Sequence, residues 1–201
     1  MTEICTSASV ARKALKTALA GCLCLLMLLA LSIAAEGQKK PEQFSATGFG
    51  QAGMFAGKTV SMNIYITDYS DNQEVEDLAA TLRTKGSDPL LKAIQKMKAK
   101  ARVVPTGYTG WNVAVVRQRP TKNGRRIVMF GDRPIGFYEA RNAPRSKGYE
   151  FGMLVLDVNE KGEGSGLLYG ACKIKFTKDD QVDIEHFSQQ PIRLTTVKLW
   201  K

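Results

Sequence analysis

Between Val60 and Thr67 the chain alternates. Val60, Met62, Ile64 and Ile66 fall on one side of an extended backbone, and Ser61, Asn63, Tyr65 and Thr67 fall on the other. Period two over eight residues predicts a strand with one face against a core and one toward water. The period then changes. In "TDYSDNQEVEDLAATLRTKGSDPLLKAIQKMKAKARVV" (67–104), Val75, Leu78, Ala79 and Leu82 recur at i, i+3, i+4 and i+7, one apolar helical stripe. Ser70 with Gln73, or Asp71 with Glu74, has capping-box spacing at its start. Gly86 ends this helix, and Asp88-Pro89 opens a second, with Leu90, Ile94, Met97 and Ala101 as its stripe. Lys92, Lys96, Lys98 and Lys100 gather toward the end of that helix, where the dipole favours positive charge.

Beyond residue 101 the pattern predicts strands near 102–105, 111–119, 125–130, 134–139, 150–158, 166–176, 181–187 and 192–199. Asn123-Gly124 between two apolar runs signals a hairpin, and "DVNEKGEGSG" and "TKDDQ" supply looser turns. Consecutive hairpins with short connections imply an antiparallel sheet. The expected fold is α+β: a mostly antiparallel, curved sheet or partial barrel with one inserted helical hairpin.

Residues 1–35 differ from the rest. Arg12, Lys13 and Lys16 precede an uncharged run from Thr17 to Ala35, and Ser32 and Ala34 stand before the polar "EGQKKPEQ". This is the layout of a secretory signal peptide. Two rivals stay open: an uncleaved N-terminal anchor, since 19 apolar residues can span a bilayer, and a lipidated Cys22 in "LAGC". Residues 36–43 read as a flexible lead-in and 44–201 as one domain. Export places the domain in the periplasm or outside the cell, membrane-anchored if the leader is retained.

Three of the 29 Lys+Arg and one of the 19 Asp+Glu precede residue 36, so the remainder carries net +8. A basic exported protein attracts anionic partners such as envelope polymers, lipid head groups or acidic glycans. Nucleic acid has the same sign of charge, but an exported protein seldom meets it. Cys172 is the one cysteine after the leader and His186 the one histidine, so Cys/His metal centres and internal disulfides are excluded.

"SATGFGQAGMFAGKTV" (45–60) has the look of a nucleotide site. Gly48, Gly50 and Gly53 fit G-x-G-x-x-G, and Gly57-Lys58-Thr59 ends like a P-loop. A phosphate-binding loop must open a helix, whereas these glycines lead into the strand from Val60. The P-loop spacing also fails, because Ala52 stands where its first glycine belongs. "GFGQAGMFAGKT" (48–59) reads as an irregular or edge segment with glycine turns, and no nucleotide or other cofactor is expected. "DVNEKGEGSG" lacks EF-hand spacing, and Ser165 lacks a nucleophile-elbow context.

Two constellations remain. Matching the apolar faces of consecutive strands sets Phe176 opposite Val182, Ile174 opposite Ile184, and Cys172 opposite His186. This is the one nucleophile–base pair the sequence offers; the competing reading is a buried thiol beside a structural histidine. The richest polar cluster is "GDRPIGFYEARNAPRSKGYE". Its Arg133, Arg141 and Arg145 with Tyr138 could hold an anionic or amphipathic ligand, with Trp111 and Tyr108 as aromatic walls. Pairing of Arg133 and Arg141 with Asp132 and Glu139 is the structural alternative.

The succession "GKTVSMNIYIT", helical pair, "GRRIVMFGDRPIGFYEARNAPRSKGYEF", "DVNEKGEGSGLLYGACKIKF", "IEHFSQQPIRLTTV" resembles a group of uncharacterised exported bacterial proteins, acidobacterial ones among them. The resemblance covers nearly all of the chain after the leader and is most distinctive from Arg125 to Arg145. It implies export and a single domain, and it brings no activity and no catalytic residues. The expectation is a non-enzymatic binding or envelope-associated protein using the Arg133–Arg145 region or the concave face of the sheet. A Cys172–His186 enzyme and an assembly partner joined through strand edges are the alternatives, and oligomeric state is left open.

Denaturing intact mass of protein recovered from the exported fraction is expected to place the N-terminus after Ala34 or Ala35. A full-length mass would assign an anchor, and a lipid adduct on Cys22 a lipoprotein.

Overall fold

A computed structural model of the chain describes residues 41–50, 56–134, 148–177, 182–187 and 191–200. Among the described residues ten strands and two helices follow one another: β1 (Glu42–Phe49), β2 (Thr59–Ile66), α1 (Asn72–Lys85), α2 (Ser87–Gln95), β3 (Ala101–Pro105), β4 (Trp111–Val113), β5 (Val115–Thr121), β6 (Gly124–Gly131), β7 (Phe151–Asn159), β8 (Glu163–Phe176), β9 (Val182–His186) and β10 (Ile192–Trp200). All strands join one antiparallel sheet in the order β4-β3-β2-β1-β10-β8-β7-β6-β5, with β9 on β8. The fold is therefore mainly β, with two helices as an insertion, and the α+β expectation overstates its helical share.

The two ends of that order are consecutive in sequence. β4 and β5 are separated by Ala114 alone, so one bent stretch of chain pairs with β3 on one side and with β6 on the other. Val113 and Val116 belong to the inner core while Ala114 and Val115 belong to the outer apolar cluster. Two successive residues on one face mark a bulge-like bend, the usual device for curving a sheet. β9 and β10 form a second broken strand, since both run antiparallel along β8. The result is an eight-fold ring of neighbours, nearly closed like an up-and-down barrel.

Alternation decides what fills it. Phe44, Ile64, Val103, Val116, Ile127, Leu156 and Leu168 point inward and are fully buried. On the walls made by β1, β2, β3 and β10 the other face is polar, with Ser45, Asn63, Arg102 and Thr195 outside. Gly48, first of the fingerprint-like glycines, lies at a bulge in the β1–β10 pairing. A Cβ there would meet Leu194 Cδ2 at 2.7 Å, so its lack of a side chain serves packing. Of the stretch expected to be irregular, Gly48, Phe49 and Thr59 lie in strands and residues 51–55 lie outside the described residues, and β1 begins two residues inside the expected lead-in. The glycine-rich stretch lies between two antiparallel strands, and strand, not helix, follows Gly57.

The helical hairpin follows its sequence signals closely. Asp71 and Glu74 make a reciprocal capping box, and Gly86, at φ 85°, separates the helices. Ser70 does not cap; it is buried, and its Oγ accepts a 3.3 Å hydrogen bond from the Val116 amide. α2 starts one residue before Asp88 and stops at Gln95, so Ala101 is an inward-facing strand residue and not part of a helical stripe. Lys100 turns back to Glu74 at 3.1 Å and Asp68 at 3.8 Å. In the β5–β6 hairpin Thr121 pairs with Gly124, which puts Lys122-Asn123 at the tip. Gly124 has φ 150°, and a Cβ on it would lie 2.1 Å from the Val158 carbonyl oxygen. The strand expected at 134–139 lies, apart from Pro134, outside the described residues.

One end of the ring is held by a polar clasp. Glu42 on β1 and Arg125 on β6 face inward from opposite sides of the ring. Arg125 donates to Glu42 Oε2 at 2.6 Å and to Oε1 at 3.2 Å. Arg125 also donates to Gln118 at 2.8 Å, and Tyr69 donates to Glu42 at 3.2 Å. Burial, then the neighbouring Glu42 carboxylate, pushes the Tyr69 hydroxyl up to about 12. A two-pronged arginine–carboxylate pair at a half-buried site is worth more than an exposed one. Glu42→Ala is expected to destabilise the domain by about 1–3 kcal/mol, because Arg125 loses its acceptor. Urea unfolding checks this, and a change of only a few tenths would remove the clasp from the account.

Candidate functional site

β6 and β7 are apolar on both faces over most of their length, and β5, β8 and β9 add apolar residues to the outer face. Outside the ring they present Val115, Val128, Phe130, Met153, Ile174, Phe176 and Ile184. Such strands need cover on both sides, and the cover here is the helical hairpin. Its stripe is narrow. Leu82, Leu90 and Ile94 are buried against the sheet, but Val75, Leu78 and Ala79 are only half-buried. Between the half-buried part of α1 and the outer sheet face runs an open groove of about 520 Å³. That volume lies within the ordinary range for small-molecule pockets, about 300–1,000 Å³. Its wall is hydrocarbon and aromatic except for Arg117 and Arg119 from β5. Arg83 lies over the Phe176 ring, 4.5 Å from its centroid, beside the far end.

The expected register of β8 and β9 is observed: Phe176 pairs with Val182, Ile174 with Ile184 and Cys172 with His186. The chemistry of that pair is not that of an activated thiolate. Cys172 is fully buried in the layer beneath the helices, and burial pushes its thiol up to about 12. A nucleophilic cysteine needs the opposite shift. The His186 ring meets Tyr169 edge-on, 5.6 Å between centroids, which places it in aromatic packing.

Of the residues expected to bind a ligand, Trp111, Tyr108 and Arg133 are among those described. Trp111 is buried and faces the inner core, so it walls no surface site; its position in the alternation of β4 decides this. Tyr108 lies exposed on the β3–β4 turn and Arg133 is exposed just beyond β6. Asp132 lines a separate small recess of about 220 Å³ with Asn112 and Gln95. Tyr138, Arg141 and Arg145 lie outside the described residues. The concave face of the sheet, the other expected surface, carries the buried core. The groove was within reach of sequence reading. "RIVMF" and "FGMLVL" lack polar alternation, which marks strands covered on both faces.

Among the described residues no three His, Cys, Asp or Glu side chains are grouped to hold a metal ion. Among them, too, no helix is long and apolar enough to cross a membrane. No protein-family model, curated protein or solved structure matches the chain.

Native protein is expected to resist iodoacetamide at Cys172 and to react once unfolded. The raised thiol also sets a pH dependence. Its neutral form is favoured by folding, so the stability it contributes is present below the ordinary thiol value, about 9, and is lost as pH rises toward 12. Cys172→Ala should flatten that alkaline loss in a thermal-melt series. Rapid native alkylation at neutral pH would show the site to be open.

Proposed function

We propose that this chain is an exported, non-enzymatic binding protein whose groove between α1 and the outer sheet face takes an amphipathic ligand. The observation that carries the reading is the mismatch of two apolar surfaces. The sheet offers five strands of outward hydrocarbon, and the helix stripe leaves Val75, Leu78 and Ala79 half-buried above it. Apolar surface left uncovered beside a groove is unfavourable in water, by about 25 cal/mol per Å², and a ligand that fills the groove recovers that energy. Two arginines on the lining give the ligand a polar side. Export rests on the leader, with its basic start, uncharged run and small residues before a polar segment. The basic remainder of the chain suits a function among anionic envelope components.

An environment-sensitive apolar dye, N-phenylnaphthylamine, is expected to bind wild-type protein with enhanced emission. Leu78→Trp, which fills the groove from the helix side, should weaken binding by about tenfold or more, a loss of about 1.4 kcal/mol. Circular dichroism would verify that the variant is folded. Equal affinity in folded variant and wild type would move the site away from this groove.

A further inference from the structure

We infer that the groove's ligand is a single-chain amphiphile with an anionic head, bound head-first at Arg117 and Arg119 with its tail directed along α1 toward Phe176. This rests on the binding function proposed above and specifies the ligand and its orientation.

The groove has a direction. Arg117 is joined to the start of α1: one of its guanidinium nitrogens donates to the Ser70 carbonyl oxygen at 3.1 Å, and another to Asn72 Oδ1. Val75 lines the groove at this end, and Arg83 over Phe176 marks the other. From Val75 to Leu82 the helix advances about 10 Å at 1.5 Å per residue. Arg117 and Arg119 are two apart on one strand, so both leave the same face about 7 Å apart. Beyond them the lining is Leu78, Leu82, Val128, Ile174, Ile184 and Phe176, with no polar side chain.

The charge state of these arginines separates them from their neighbours. Arg125 is clamped by Glu42, and Arg126 is clamped by Asp157 at 2.6 and 2.9 Å. Arg117 has only neutral oxygen partners, and exposed Arg119 has no ion pair among the described residues. The acids around the start of α1, where Arg117 is tied, are engaged elsewhere. Asp71 and Glu74 form the helix cap, and Glu74 and Asp68 hold Lys100. Arg126 stands directly opposite Arg119 across the β5–β6 pairing, and Asp157, the acid opposite Arg126, is taken up by Arg126. Two uncompensated guanidiniums at one end of a hydrocarbon groove match a carboxylate or phosphate head followed by an alkyl tail. A groove walled by one helix stripe and one sheet face admits one chain abreast.

The test is dye displacement from the full protein by dodecanoate, dodecyl phosphate and dodecanol, which share a tail and differ in head. Dodecanoate or dodecyl phosphate should displace the dye at concentrations about tenfold below dodecanol, equivalent to about 1.4 kcal/mol. That advantage should shrink to threefold or less in Arg119→Gln, with dodecanol unchanged. Arg119 is chosen because its side chain makes no hydrogen bond among the described residues, and Arg117→Gln serves as a second variant. If the phosphate head wins, the natural source is a lysophospholipid-like molecule; if the carboxylate wins, a free fatty acid. Equal displacement by acid and alcohol, or an advantage untouched by both variants, overturns the head-group assignment while leaving the groove as a site. Failure of all three to displace bound dye would overturn both.

Discussion

The pairing of β1 with β10 joins the two ends of the described domain, from Gln43 opposite Trp200 to Phe49 opposite Arg193. Without it the remaining strands would form an open sheet with two bare edges, each a row of unpaired amides and carbonyls. With it β1 acquires neighbours on both sides, and one face of every ring strand turns toward a shared interior. The inner core exists only because of that closure, since Phe44, Ala46, Leu194 and Val197 meet the side chains of β2 and β8 across it. The Glu42–Arg125 clasp reinforces the same closure by reaching from one wall to the opposite one.

Closure also divides the outside into two unequal halves. The strands β1 to β3 and β10 show water a polar face. β5 to β9 show an apolar one, and only a hairpin of 14 and 9 helical residues is available to cover it. Leu82, Leu90 and Ile94 suffice to anchor the hairpin, and the first half of α1 is left above uncovered hydrocarbon. The groove is thus a consequence of area: five strands are wider than one helix stripe. Cys172 lies in the well-covered part of this layer, where burial favours the neutral thiol, and so the same layer that leaves a binding groove disfavours nucleophilic chemistry.

The candidate sites show where sequence reasoning succeeds and fails. The Cys172–His186 pairing was legible because it follows from aligning two alternating faces across one hairpin, a local relation. Trp111 was misjudged because an aromatic after a glycine turn looks like a surface wall until its strand is given a partner; pairing with Val103 sends it inward. β1 was misjudged for a related reason. Its inward positions are Glu42, Phe44, Ala46 and Gly48, and one charged and two small residues out of four give little hydrophobic alternation. The sizes fit because Leu194 occupies the space a larger residue at 48 would need.

By itself the sequence determined the quantities that depend on near neighbours: the alternation of β2, the strand segments after it among the described residues, the capped helical pair, and the turn at Lys122-Asn123 to within a residue. Each follows from steric and hydrogen-bonding preferences acting over a few residues, and the alternation is readable without knowing the partner strand. The tertiary structure decided closure, the assignment of inner and outer faces, and the groove. These depend on the accumulated bends at Thr47/Gly48, Ala114 and Leu194/Val197 and on contacts between residues more than a hundred positions apart. A one-residue shift at any of those bends would exchange the faces of the strand beyond it. No local pattern fixes their sum, and so the position of Arg117 and Arg119 beside an uncovered apolar surface emerges only once the ring has closed.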